Sequence, residues 1–221
     1  MGVIPPEPGY LRGLRDLTRA HGILLVLDET VTGFRIGPGG CQEHYGIVPD
    51  ISTFGKALGA GLPVAALAGR ADIMDGLAWG GVLHYGTQNA SRVGLFAARA
   101  NLRELARDGG AAFRHMWHIG EMLAGGLRRV FEETGTAAIV QGVGPMLQVM
   151  FTRRPAIRDY REFCAYVDRA GYQRFALALF RRGVYMTPSS ALHSVASAAH
   201  ADADVAATLD AVREVLSDGT Q

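Results

Sequence analysis

Two short stretches decide the reading of this chain: Ile23-Leu24-Leu25-Val26-Leu27-Asp28-Glu29 and Ile51-Ser52-Thr53-Phe54-Gly55-Lys56. The first is an unbroken apolar run closed by two carboxylates. Such a run suits a parallel strand buried on both faces between helices, and its C-terminal end is where ligands bind in open α/β sheets. The second reads as a strand over 51–54 followed at once by Gly55-Lys56, which puts a lysine where it can approach a ligand at the sheet edge. Upstream, Ile4-Pro5-Pro6-Glu7-Pro8-Gly9 is extended punctuation. It leads into an amphipathic helix over Tyr10–His21, with Leu11, Leu14 and Leu17 at helical spacing and Gly22 as C-cap.

Downstream, Gly33, Gly37, Pro38, Gly39 and Gly40 mark a loop. An apolar segment follows at Val64–Ala68, and Asp72 can cap a short helix. His84–Thr87 reads as extended, and Asn89–Ser91 opens an Ala-rich helix running to about Leu105. At Asp108-Gly109-Gly110 the character changes. A long helical pattern runs to Thr134, followed by strands at Ala137–Val140 and Met146–Phe151 around a Gly142–Pro145 turn. A helix over Tyr160–Arg182, a short strand over Val184–Met186 and an amphipathic helix over Asp202–Leu216 complete a small α+β unit. The expected boundary lies near 106–110, giving domains 1–107 and 108–221.

The 221 residues carry 22 basic and 21 acidic side chains, a balance that suggests neither nucleic acid nor an anionic membrane as partner. Cys41 and Cys164 are far apart and read as two unpaired thiols in a reducing compartment. The N-terminus has no basic and apolar leader, and no apolar run approaches the roughly 20 residues of a membrane-spanning helix. A soluble cytoplasmic protein is the expectation.

Among the polar residues, Lys56 lies in the glycine-bracketed context Phe54-Gly55-Lys56-Ala57-Leu58-Gly59-Ala60-Gly61. A nucleophilic lysine needs partial desolvation, and this setting is apolar. Alone, it reads more simply as a solvated surface group. It is not a phosphate-loop lysine, because Asp50 and Ala57 stand where that motif needs Gly and Ser or Thr. Asp28 ends an apolar strand and needs a partner; a pyridinium nitrogen is one, a loop cap is another. Asp28 and Glu29 are adjacent on a strand, so they point to opposite faces and cannot converge on one bond. Gly86-Thr87 before a helix start can hold phosphate oxygens, although such pairs are ordinary turn chemistry. His115, His118 and Glu121 recur along one helix without evident convergence on a metal. Arg12, Arg15 and Arg19, like Arg128, Arg129, Arg181 and Arg182, read as solvated helix faces; Met146, Met150 and the Phe residues read as core.

The order of these signals carries a resemblance. Asp28-Glu29-Thr30-Val31-Thr32-Gly33-Phe34-Arg35, then Pro49-Asp50 before Ile51–Phe54, then Gly55-Lys56, Gly61-Leu62-Pro63 and Gly86-Thr87 resemble class III aminotransferases, and within them the glutamate-1-semialdehyde aminomutase-like group. The likeness continues through Gln141–Met146 and Arg182–Tyr185 to Ser197–His200. It implies an α/β fold: part of a fold-type I large domain, a mostly parallel sheet with helices, followed by the small α+β domain. It implies pyridoxal 5'-phosphate as cofactor, with Lys56 as the Schiff-base lysine and proton carrier, Asp28 on the pyridine nitrogen and Thr30 against the ring. Gly86 and Thr87 are implied to bind the phosphate of a neighbouring subunit's cofactor, hence a homodimer acting on amino-acid or amino-ketone substrates. The family's chain is about twice as long, and this one resembles its C-terminal half. A truncated, non-catalytic homologue is therefore the rival expectation. Ala191-Leu192-His193 replaces the group's Phe-Glu-Ala, and Ser91-Arg92 replaces its Asn-Pro.

Overall fold

The computed structural model describes residues 1–79 and 81–218; residues 219–221, the end of the expected second domain, lie outside them. Two compact units are present, one of residues 8–113 and one of residues 114–221 together with Met1–Glu7. The division between Phe113 and Arg114 lies just past the expected 106–110, and the first seven residues group with the C-terminal unit. None of the described helices is long and apolar enough to cross a membrane.

In the 8–113 unit, helix α1 (Tyr10–Ala20) closes at Gly22, whose φ of 63° lets Ile23 N–H reach back to Thr18 C=O at 2.8 Å. Strands β1 (Val26–Asp28), β2 (Ile51–Phe54) and β3 (Ala66–Gly69) form a sheet in that order. β1 and β2 are parallel, with Asp28 opposite Thr53, while β3 returns antiparallel. The sheet is therefore mixed, parallel at one of its two pairings. Helix α2 (Gly40–His44) lies in the connection between β1 and β2, and α3 (Ala71–Trp79) follows β3. The helical span labelled α4, Arg92–Glu133, is two helices that meet at a kink, with non-helical backbone from Arg107 to Gly110, where Asp108, Gly109 and Gly110 all have positive φ. The glycine pair that changes the character of the sequence falls at that kink, between the two helices.

Two expectations are corrected in this unit. The run Ile23–Leu27 is not buried on both faces: Leu25 is buried, but Ile23, Leu24 and Val26 are each at least 50% exposed. Among the described residues β1 pairs with one neighbour, β2, and lies at the edge of its sheet. Arg15 is not a solvated helix residue; it is buried, and its guanidinium donates to Asp50 Oδ2 at 2.7 Å. Asp50, also buried, accepts from Leu25 N–H at 2.8 Å and from Arg70 at 2.8 Å through its other oxygen. These donors hold its carboxyl well below the usual carboxylate range, the Arg15 hydrogen bond contributing most.

In the other unit, β4 (Ala138–Val143), β5 (Met146–Phe151) and β6 (Ser194–Val195) form an antiparallel sheet. Every residue of β5 is buried. Alternation sends Leu147, Val149 and Phe151 into the main core, with Leu127, Val130 and Phe175, while Met150 joins Ile157, Phe163 and Val167 on the other face. The first residues attach here, Val3 N–H donating to the Gln148 side chain at 2.8 Å and Glu7 pairing with Arg158 at 3.3 Å. The helix expected over Tyr160–Arg182 is two, α5 (Tyr160–Tyr166) and α6 (Arg169–Phe180). Asp168 separates them, its N–H donating to Phe151 C=O at 2.9 Å while its carboxylate accepts from Gly171 N–H at 2.9 Å. Val184–Met186 is not a strand, because Gly183 and Val184 are spent on the C-cap of α6; the third strand forms at β6 instead. Helix α7 (Asp202–Ser217) closes the core with Val205, Leu209 and Val212.

Candidate active site

The C-terminal ends of two adjacent parallel strands carry the residues of interest. Asp28 is the last residue of β1; Lys56 follows β2 after Gly55. Asp28 is exposed, and its Oδ1 accepts from the Thr53 hydroxyl at 2.7 Å and from the Thr30 N–H at 2.9 Å. The two threonine hydroxyls are 3.5 Å apart. Hydrogen bonds from Thr30, then Thr53, bring the Asp28 carboxyl down to about 2, and the Lys56 charge adds a smaller pull in the same direction. Asp28 is therefore an anion throughout the neutral range.

Lys56 is exposed and opens a 3-10 turn, Lys56–Gly59, with a backbone φ of 45°. That left-handed conformation is unfavourable for a residue bearing a Cβ, and such conformations concentrate at functional sites. Gly55 before it is buried, and a Cβ there would meet the Thr30 methyl at 3.3 Å. The backbone thus passes close beside Thr30 on its way to the lysine. The expected apolar enclosure of Lys56 is absent from this chain alone.

Beside these strand ends lies an open cleft of about 930 Å³. Thr30 and Thr53 line it, with Phe54, Val64, His84 and Ser91 among the other walls. Asp28 and Lys56 are not among its lining residues; the cleft reaches Asp28 through the two threonines that bond it. Gly86 and Thr87 are exposed and also outside the lining, in a turn where Asn89 N–H donates to Gly86 C=O at 2.9 Å. The structure therefore brings Asp28, Thr30 and Thr53 into contact, sets Lys56 on the neighbouring strand end, and leaves Gly86-Thr87 on a separate exposed turn.

Thr53, and the burial of Glu29, escaped the sequence reading. Thr53 looked like part of an apolar strand; only the register that places it opposite Asp28 reveals its role. Glu29 turns away from Asp28, as alternation requires, and is completely buried. Away from this site, His115 Nε2 lies 2.7 Å from His200 C=O and His118 Nε2 3.0 Å from Asp202. Among the described residues no group of three or more potential metal ligands comes together.

The family model for class III aminotransferases matches residues 1–216. The glutamate-1-semialdehyde 2,1-aminomutase of Sorangium cellulosum is 38% identical over 218 residues, covering 98% of this chain and 49% of that protein. That of Thermomicrobium roseum is 39% identical over 220 residues, covering 99% and 50%. Among solved structures, an omega-transaminase from Sphaerobacter thermophilus superposes with a TM-score of 0.87 at 32% identity, over all of this chain and 50% of its own. A glutamate-1-semialdehyde-aminomutase from Pseudomonas aeruginosa, solved in complex with PMP, gives 0.84 at 28% identity, over 97% and 49%. This chain belongs to the class III aminotransferases, a family of pyridoxal-phosphate enzymes. It spans about half the length of the relatives it matches.

Proposed function

We propose that this chain is the cofactor-carrying, C-terminal half of a pyridoxal-phosphate-dependent aminotransferase or glutamate-1-semialdehyde aminomutase-like enzyme. The observation that supports this best is the pairing of an anionic, hydroxyl-clamped Asp28 with a lysine held in a left-handed backbone on the next parallel strand. The residues suit the cofactor chemically. Asp28 would accept the proton-bearing ring nitrogen, Lys56 would hold the aldehyde carbon through Nζ, and Thr30 would pack beside the ring. When bound, the cofactor supplies an electron sink that makes a substrate C–H bond acidic. Lys56 Nζ, once free, would take and return a proton as general base and acid. Asp28, kept anionic by Thr30 and Thr53, would hold the ring nitrogen protonated.

Gly86 and Thr87, on their exposed turn, are assigned to the phosphate of a second subunit's cofactor, which makes the working form a homodimer. Its substrates are amino acids or amino ketones, and its setting the cytoplasm. Addition of pyridoxal phosphate, borohydride reduction and peptide mapping tests the reading: label on Lys56 supports it, and label elsewhere or none at all refutes it for this chain.

A second reading has its own support. Ile23, Leu24 and Val26 are exposed, Lys56 is open to solvent, and half the length of the relatives is unmatched. On that reading the 221 residues form a non-catalytic homologue that does not retain cofactor. Absence of cofactor absorbance with the isolated chain, restored by co-expression of a complementary N-terminal half, separates the two.

A further inference from the structure

Glu29 follows Asp28 directly, faces the opposite way, and has no solvent exposure. Its carboxylate sits where the long connection between β1 and β2 closes on itself. Oε2 accepts from the Thr32 hydroxyl and from Cys41 N–H at 3.0 Å; Oε1 accepts from Gln42 N–H at 2.8 Å. Its own backbone N–H donates to Thr53 C=O at 2.9 Å, and its C=O accepts from Gly33 N–H at 2.8 Å. Two glycines are fitted around it. A Cβ on Gly40, whose φ is 63°, would lie 2.6 Å from Glu29 Oε2, and one on Gly33 would lie 2.8 Å from Glu29 C=O. Side chain and backbone together therefore tie both ends of the connection to one residue.

That arrangement has a consequence for Asp28. The groups that clamp Asp28 are Thr30 and Thr53. Glu29 lies between Asp28 and Thr30 in sequence, is bonded to Thr53 through its backbone, and anchors Thr32 two residues beyond Thr30. We propose that Glu29 is a positioning residue: by gathering Thr32, Cys41 and Gln42 onto one buried carboxylate, it holds Thr30 in the place from which Thr30 orients Asp28. The inference rests on the reading of Asp28 as the cofactor's partner. A carboxylate is required because three donors must be met by two oxygens; a glutamine offers one oxygen and turns an NH2 toward the third donor.

The test follows the Asp28 carboxyl by carbon-detected NMR titration of the full chain without cofactor, in the parent protein, in Glu29→Gln and in Thr32→Val. The parent is expected to titrate at about 2. Glu29→Gln is expected to move that midpoint up by about one unit, as the clamp loosens, and Thr32→Val to move it less in the same direction. If the midpoint is unchanged in the folded variants while their melting temperature falls, Glu29 is structural only and the proposal is overturned. Should Glu29→Gln not fold, Thr32→Val, which removes a single hydroxyl, decides alone. Borohydride labelling of Lys56 is read separately on the parent chain, so failure of the cofactor reading stays distinguishable from failure of this one.

Discussion

Thr53 and Asp28 face each other in the parallel register of β1 and β2, and the threonine hydroxyl donates to the aspartate Oδ1 at 2.7 Å. Because the bond joins two strands, it ties the charge of the site to the alignment of the sheet. A one-residue slip of either strand would turn that strand's side chain to the opposite face and part the pair.

Removing that hydroxyl has a defined pH signature. The folded carboxyl of Asp28 is lowered from 3.8 to about 2, so its stabilising contribution is fully present above the unfolded value and disappears as pH falls through about 2. Thr53→Val should therefore be less stable than the parent at pH 5 and above, and the difference should shrink toward zero near pH 2. Chemical denaturation at a series of pH values measures it; a difference independent of pH would contradict the assignment.

Lys56 and Asp28 are expected to separate in their effects. Lys56→Ala should abolish borohydride-trapped cofactor and lower amino transfer by about a hundred- to ten-thousand-fold, the range of a lost general acid–base group. Asp28→Asn should keep the trapped label while losing turnover, since the attachment point survives and the charge opposite the ring nitrogen does not. These measurements belong to the form that binds cofactor, whether the chain alone or one joined to a complementary half.

The buried Asp50 joins α1, β2 and the end of β3 through Arg15 and Arg70. Asp50→Ala leaves the Arg15 charge buried without its partner and should cost about 3 kcal/mol or more. Arg70 is half exposed, so Arg70→Ala should cost clearly less than Asp50→Ala. Equal losses in paired urea denaturation curves would show that burial is not what sets the strength of this cluster.

Gly22 and Gly40 share a φ of 63° but differ in surroundings: nothing lies within 4 Å of a Cβ at Gly22, whereas at Gly40 it would strike the Glu29 carboxylate. Gly22→Ala should cost about 1–2 kcal/mol, the backbone penalty alone. Gly40→Ala should cost more, because the buried carboxylate must also move. Thermal melts of the two variants give the comparison directly.

Local patterns were well read where the chain itself decides the structure. β2 and β5 lie at Ile51–Phe54 and Met146–Phe151, where short apolar runs between turn residues leave one outcome. Alternation alone predicted that Asp28 and Glu29 would part company. Features set by distant partners were not legible. Arg15 looked like its exposed neighbours because Asp50, its reason for burial, lies 35 residues away. Ile23–Leu27 carried the composition of a central strand, but composition cannot show that β1 lies at the edge of the sheet that the described residues form. The helix over Tyr160–Arg182 is split by Asp168, whose N–H is claimed by Phe151 in another element. In the site, the sequence marked Asp28, Thr30 and Lys56, while Thr53 and the burial of Glu29 emerged only with the strand register and the closing of the loop.

The left-handed backbone at Lys56 bears on why a lysine stands there at all. Glycine adopts that conformation without penalty, so Lys56→Gly should make the protein more stable, by about 1 kcal/mol. Folding therefore gives no reason to keep this side chain, and a lineage free of any duty at this position would gain by shedding it. If Lys56 serves the proposed chemistry, lysine should be kept at this position in sister sequences with an intact Asp28 and replaced where Asp28 is lost, which a census of those sequences checks.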